Sequence, residues 1–116
     1  MPPSFTRTDR VSAELRRELG TLVHAAVRDH ALPSVSVSDV EVTRDLDMAT
    51  VWVISLLPEQ STTAVKALNA MAGELRMQLS RSMRLRRVPA LRFRYDESVD
   101  RGERIDALLR ADKSLR

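Results

Sequence analysis

Hydrophobic positions recur along this 116-residue chain with two different periods, helical first and then alternating. Over residues 8–29, Val11, Leu15, Leu19, Leu22, Val23, Ala26 and Val27 follow helical spacing. Arg10, Glu14, Arg17, Glu18 and Arg28 take the other face. The spacing predicts a helix with Thr8 as its N-cap and Asp9 in its first turn. Gly20, between the apolar turns, weakens it slightly. Leu32-Pro33-Ser34 ends the segment, and the period then becomes two. SVSVSDVEVT and MATVWVISLL read as an antiparallel hairpin turning at Arg44-Asp45-Leu46-Asp47. In the first run Val35 and Val37 share one face while Val40 and Val42 fall on the other. Either a β-bulge near Ser38-Asp39 or pairing that starts at residue 39 reconciles them. Residues 48–57 are apolar on both faces, which suits a central strand.

Pro58-Glu59-Gln60 breaks the chain, and Ser61 or Thr62 is placed to cap the next helix. Its apolar stripe is Ala64, Val65, Leu68, Met71, Ala72, Leu75, Leu79 and Met83. The stripe stays in phase through Gly73. A helix-interior glycine costs about 1 kcal/mol relative to alanine, so Gly73 is expected to mark a kink between two helical pieces with one shared buried side. Pro89 stops the basic helix or its trailing loop. ALRFRYD then alternates, with Leu91, Phe93 and Tyr95 facing one way and Arg92 and Arg94 the other. In the tail, Ile105, Leu108 and Leu109 recur at helical spacing, as a short amphipathic helix or a mobile end. The order is α-β-β-α-kink-α-β. Its simplest packing is α+β, a three-stranded sheet with the helices on one face.

Composition narrows the function classes. Hydrophobic residues are 43% and charged residues 30%, as in ordinary folded domains, and the length suits one domain. There is no cysteine, which removes disulfides and thiol chemistry. No apolar run reaches the roughly 18 residues of a membrane span, and the start lacks the apolar core of a signal peptide. A cytoplasmic protein without membrane association is expected. Catalysis has little support, and neither a cofactor nor a metal is expected. His24 and His30 lie off a shared i, i+4 metal-binding face, and turn chemistry accounts for Asp45 and Asp47. The three glycines are isolated from any phosphate-binding motif. Trp52, Tyr95, Met71, Met77 and Met83 read as core or near-core.

Charge changes the picture most. Residues 1–74 carry seven Lys/Arg against ten Asp/Glu, whereas residues 75–95 carry seven arginines and no acid. Such clustering suits a polyanion. If the helix runs on, Arg76, Arg84 and Arg87 lie near one helical face with Arg81 beside it, and Arg86 and Arg87 lie at the helix end. Arg92 and Arg94 project from one side of the third strand. Of nineteen basic residues seventeen are arginine, the side chain that grips phosphate bidentately. Aromatics are only 3%, which favours shape and phosphate recognition of structured RNA over base stacking.

Four stretches resemble the ribosome-binding factor A family, bacterial small-subunit assembly factors. Arg7-Thr8-Asp9-Arg10-Val11 matches its R-x-x-R-V opening. Val40-Glu41-Val42-Thr43-Arg44-Asp45-Leu46 with Ala49, Val51, Trp52 and Val53 matches its hairpin. Ala67 through Arg76 matches A-L-x-x-A-x-G-x-x-R. Met83 through Asp96 matches M-R-L-R-x-V-P-x-L-x-F-x-Y-D. The resemblance implies a KH-like fold of the second topological type. There an A-x-G kink, here Met71-Ala72-Gly73, replaces the GxxG clamp. The family's D-P-R motif is replaced by Asp29-His30-Ala31. It further implies a monomeric, non-enzymatic RNA-binding domain over residues 1–96, with 97–116 as a charged tail. The implied partner is the immature small (30S) ribosomal subunit and its 16S ribosomal RNA, where such factors assist late maturation and 5′-end processing and are released with a ribosome-assembly GTPase. The expected contacts are Arg76, Arg81, Arg84, Arg86, Arg87, Arg92 and Arg94, with Arg7 and Arg10 of the opening motif. Two other readings compete: a protein-interaction module that recruits a partner by β-addition at its exposed strand and tail helix, and a small nuclease.

Overall fold

A computed structural model describes residues 6–85 and 87–97. The elements run α1 (Arg7–Asp29), β1 (Val35–Val42), β2 (Met48–Ser55), a single 3-10 turn (Pro58–Gln60), α2 (Ser61–Ala70), α3 (Ala72–Ser82) and β3 (Ala90–Tyr95). This is the α+β order expected. The tail positions Ile105, Leu108 and Leu109, and Arg86, lie outside the described residues.

Helix α1 is capped two residues earlier than expected. Thr6, not Thr8, is the N-cap, and it forms a capping box with Asp9. The Thr6 hydroxyl accepts the Asp9 N–H at 3.1 Å, and Asp9 Oδ2 accepts the Thr6 N–H at 3.1 Å. Two otherwise orphaned donors are satisfied together. Val11, Leu15, Leu19, Val23 and Ala26 then form the buried stripe.

In the sheet β2 lies between β1 and β3, antiparallel to the first and parallel to the second. The register of β1 shifts between Val37 and Asp39. That bulge brings Val40 and Val42 onto the face of Val35 and Val37. Val51 pairs with Val40 on one side and Phe93 on the other, and all three are buried. On this face α1 packs mainly against β1, and α2 and α3 against β3. The core is closed by Ala64, Leu68, Leu75, Leu79, Met83 and Val88. The opposite face carries Ser36, Glu41, Thr50, Trp52, Ile54, Arg92 and Arg94, and none of the described helices packs over it. Trp52 is therefore half-buried on the open face, not a core residue, whereas Tyr95 is half-buried on the helix side.

The helix joint differs from expectation. Neither Ser61 nor Thr62 caps α2, which follows directly from the 3-10 turn and has no side-chain cap. The break falls at Met71 (φ −94°, ψ 1°), which ends α2 and precedes α3. Met71 N–H still donates to the Ala67 carbonyl, and its own carbonyl accepts Leu75 N–H at 2.9 Å. Gly73 lies inside the first turn of α3, and a Cβ there would meet nothing within 4 Å. It is a helical residue beside the joint and not the joint itself. A bend carried by backbone torsion at one residue lets the apolar stripe stay in phase across it.

Candidate nucleic-acid interface

Helix α3 ends at Ser82, and Met83 is already extended (φ −106°, ψ 140°). Residues 83–89 form an irregular connection to β3. Arg84 and Arg87 therefore do not share a helical face with Arg76. The seven-arginine segment divides into a latch, a connection group and a sheet-face group.

Arg76 is the latch. Its Nε and a terminal nitrogen both donate to the Val88 carbonyl, at 3.0 and 2.8 Å. A backbone acceptor in an irregular segment needs a partner when water is excluded, and Arg76 supplies it across the connection. Arg87 makes an ion pair in which both side chains stay largely exposed, a weak contact. It pairs with Asp47 Oδ1 at 3.0 Å, while the Asp47 carbonyl accepts Ala90 N–H at 2.9 Å. Asp47 thus fastens the start of β3 to the hairpin turn. Within that turn Asp45 accepts from the Thr43 hydroxyl at 2.7 Å and the Asp47 N–H at 3.1 Å. The Thr43 hydroxyl, then the Asp47 amide, hold the Asp45 carboxyl below its ordinary value. Both aspartates are explained as turn residues.

Arg81 and Arg84 are exposed at the start of the connection. Arg81 donates a hydrogen bond to Met77 Sδ at 3.7 Å. Met77 is 56% exposed and is not core filler, whereas Met83 is buried. Arg92 and Arg94 are exposed on the open sheet face, paired in register with Thr50 and Trp52. The Arg94 guanidinium lies 5.5 Å from the Trp52 ring centroid, a cation–π contact. Trp52 Nε1 is buried with no hydrogen-bond partner. Arg7 and Arg10 are exposed on the first turn of α1, an element that packs chiefly on β1. Among the described residues, Arg81, Arg84, Arg92 and Arg94 are in no ion pair.

Sequence reasoning missed how both sheet edges are finished. Backbone groups alternate in direction along a strand. Ala90 and Asp96 N–H groups donate to Asp47 and Val53, so Phe93 directs its own groups outward. There Asn69 of α2 accepts the Phe93 N–H at 2.8 Å and donates to the Phe93 carbonyl at 3.0 Å. Its carboxamide takes the place of a neighbouring strand. At the other edge Thr43 N–H bonds Met48, so Val40 points outward, and its N–H donates to Asp39 Oδ1 at 2.9 Å. The only advance signal for Asn69 was a polar residue beside the apolar stripe of α2. His24 and His30 are both exposed. Among the described residues no group of three or more His, Cys, Asp or Glu side chains gathers as for a metal ion. No helix among them is long and apolar enough to cross a membrane.

A family model described as Ribosome-binding factor A matches residues 7–109. A ribosome-binding factor A from Xanthomonas euvesicatoria is 68% identical over 107 residues, covering 92% of this chain and 82% of that one. Another from Stenotrophomonas maltophilia is 64% identical over 110 residues, covering 95% and 87%. Among solved structures, ribosome-binding factor A from Thermus thermophilus superposes with a TM-score of 0.68 at 27% identity, over 78% of this chain and 97% of that one.

Proposed function

The chain belongs to the ribosome-binding factor A family, and from that premise we propose that it binds the immature small ribosomal subunit through 16S ribosomal RNA. On this reading it assists late maturation, including 5′-end processing that nucleases perform, and a ribosome-assembly GTPase promotes its release. The observation that carries the RNA reading is the acid-free run of residues 75–95. Four of its arginines, Arg81, Arg84, Arg92 and Arg94, are exposed and outside any ion pair among the described residues. Unpaired guanidinium groups bind phosphate without first giving up a carboxylate. Arg76 and Arg87, already engaged within the fold, are assigned to holding the connection. Arg7 and Arg10 remain candidate contacts on α1.

The competing reading, recruitment of a protein strand by β-addition, loses support from the masked edges. An incoming strand at β3 must displace both hydrogen bonds from Asn69, and one at β1 meets the Asp39 carboxylate at Val40.

Co-sedimentation with immature and mature small subunits across a salt series tests the proposal. Release of condensed counterions makes phosphate binding fall steeply with salt. Arg84→Glu/Arg92→Glu should weaken binding and flatten that dependence, since neither side chain is engaged in the fold. Unchanged binding by this variant sinks the assignment of those arginines.

A further inference from the structure

A groove with a volume of about 690 Å³ lies away from the arginine segment, between α1 and β1. Arg16, Arg17, Gly20, Thr21 and His24 line it from the helix, and Ser36 from the strand. Arg16, Arg17 and His24 are all exposed, and among the described residues none is in an ion pair. No acidic residue lines this groove. Toward the start of α1, Arg16 also borders a neighbouring furrow that carries Asp9, Asp39 and Glu41, and the basic stretch ends there.

Gly20 is the second observation. It sits in the interior of a 23-residue helix, where glycine is disfavoured relative to alanine. Neither a positive φ nor a close neighbour requires it, because an added Cβ would meet nothing within 4 Å. What the missing side chain does is leave the groove open. Arg16 and His24 lie one turn before and after Gly20 in the same i, i+4 row. The gap at Gly20 is thus bounded along the helix by Arg16 and His24, with Thr21 beside it.

We infer that this groove is a second docking site for RNA phosphodiester backbone, separate from the arginine surface at α3 and β3. The inference rests on the RNA reading above and extends it to a second contact. The two surfaces belong to the two outer strands, since α1 packs on β1 while α2 and α3 pack on β3. The protein would then touch two stretches of RNA at once, which suits a factor that holds RNA segments in one arrangement.

The test measures binding to protein-free 16S ribosomal RNA, and to purified small subunits, across a salt series. Variants are Arg16→Glu/Arg17→Glu, Gly20→Leu, Gly20→Ala, and Arg84→Glu/Arg92→Glu as reference. Gly20→Leu fills the groove without altering charge and introduces a better helix former, so thermal unfolding at or above the parent temperature excludes misfolding. Both Arg16→Glu/Arg17→Glu and Gly20→Leu should weaken RNA binding about fivefold or more, with a flatter salt slope for each lost phosphate contact. Gly20→Ala should bind as the parent does. If the reference variant weakens binding while Arg16→Glu/Arg17→Glu and Gly20→Leu do not, the groove assignment is overturned and the proposed function stands. If no variant changes binding, the RNA reading itself fails. Full RNA affinity combined with lost subunit binding would give the groove to a ribosomal protein and overturn the inference.

Discussion

Ala31 holds a left-handed backbone, φ 52°, just past the C-cap His30 of α1. Leu32 N–H reaches back to the Val27 carbonyl at 3.2 Å, and Val27 and Leu32 both pack against the core. This is the Schellman arrangement, in which the left-handed residue is usually glycine. Leu46 in the hairpin turn has φ 61° and carries the same backbone strain. The two differ in what their side chains gain. Leu46 is half-buried against the core, and full burial of a leucine contributes about 1.5–3 kcal/mol, which offsets a strain of about 1–2 kcal/mol. Ala31 is exposed and gains nothing. Ala31→Gly should therefore stabilise the protein by about 0.5–1 kcal/mol in urea unfolding, after allowance for the looser unfolded chain. Leu46→Gly should not stabilise it. Equal gains from both would show that burial of Leu46 contributes nothing. The turn at Leu32-Pro33-Ser34 was legible in the sequence, but the strain at Ala31 was not, because alanine carries no turn signal.

The least legible element is the connection from α3 to β3. Helical phase continues past Ser82 to Met83, and Arg84, Leu85 and Arg87 invite the helix onward. Met83 instead turns extended, and the chain is held by the Arg76 bonds to Val88 and the Arg87–Asp47 pair. Those contacts join residues 12 and 40 positions apart in the chain, beyond the reach of local periodicity. The edge of β3 shows the same limit, since Asn69 meets Phe93 across 24 residues. Asn69→Ala removes both bonds and uncovers an unpaired strand edge. Lost hydrogen bonds and an unsatisfied backbone pair cost about 1–3 kcal/mol, and open edges promote self-association. The variant should unfold at lower denaturant and form concentration-dependent aggregates in light scattering. A stable, monodisperse Asn69→Ala protein would mean that water serves the edge equally well.

At the scale of the whole molecule, one layer of helices covers one face of a three-stranded sheet, so a single core carries the stability. Phe93 is at its centre, 1% exposed and in register with Val51. Truncating such a residue costs about 3–5 kcal/mol, against a total of about 5–15 kcal/mol for a typical domain. Phe93→Ala should therefore lower the thermal midpoint by well over 10 °C, with loss of cooperative unfolding as the severe outcome. A change of only a few degrees would show that the sheet and helices collapse around the vacancy.

The element order, the buried stripe of α1 and the alternation of β3 were determined by the sequence itself. Each depends on periodicity within a short window, and apolar burial imposes that periodicity directly. The family motifs were legible for the same reason, as contiguous runs such as residues 83–96. Tertiary structure alone decided which of the described arginines are bonded within the fold. Arg76 and Arg87 look no different from Arg84 and Arg92 in sequence. The first two meet an acceptor brought from elsewhere in the chain, while the others are exposed and in no ion pair among the described residues. It also decided that the break falls at Met71 within the expected Met71-Ala72-Gly73 kink, and that Gly20 opens onto a groove beside β1. The physical reason is common to these cases: a long charged side chain or a bare Cα takes its role from what the fold carries to within a few ångströms of it.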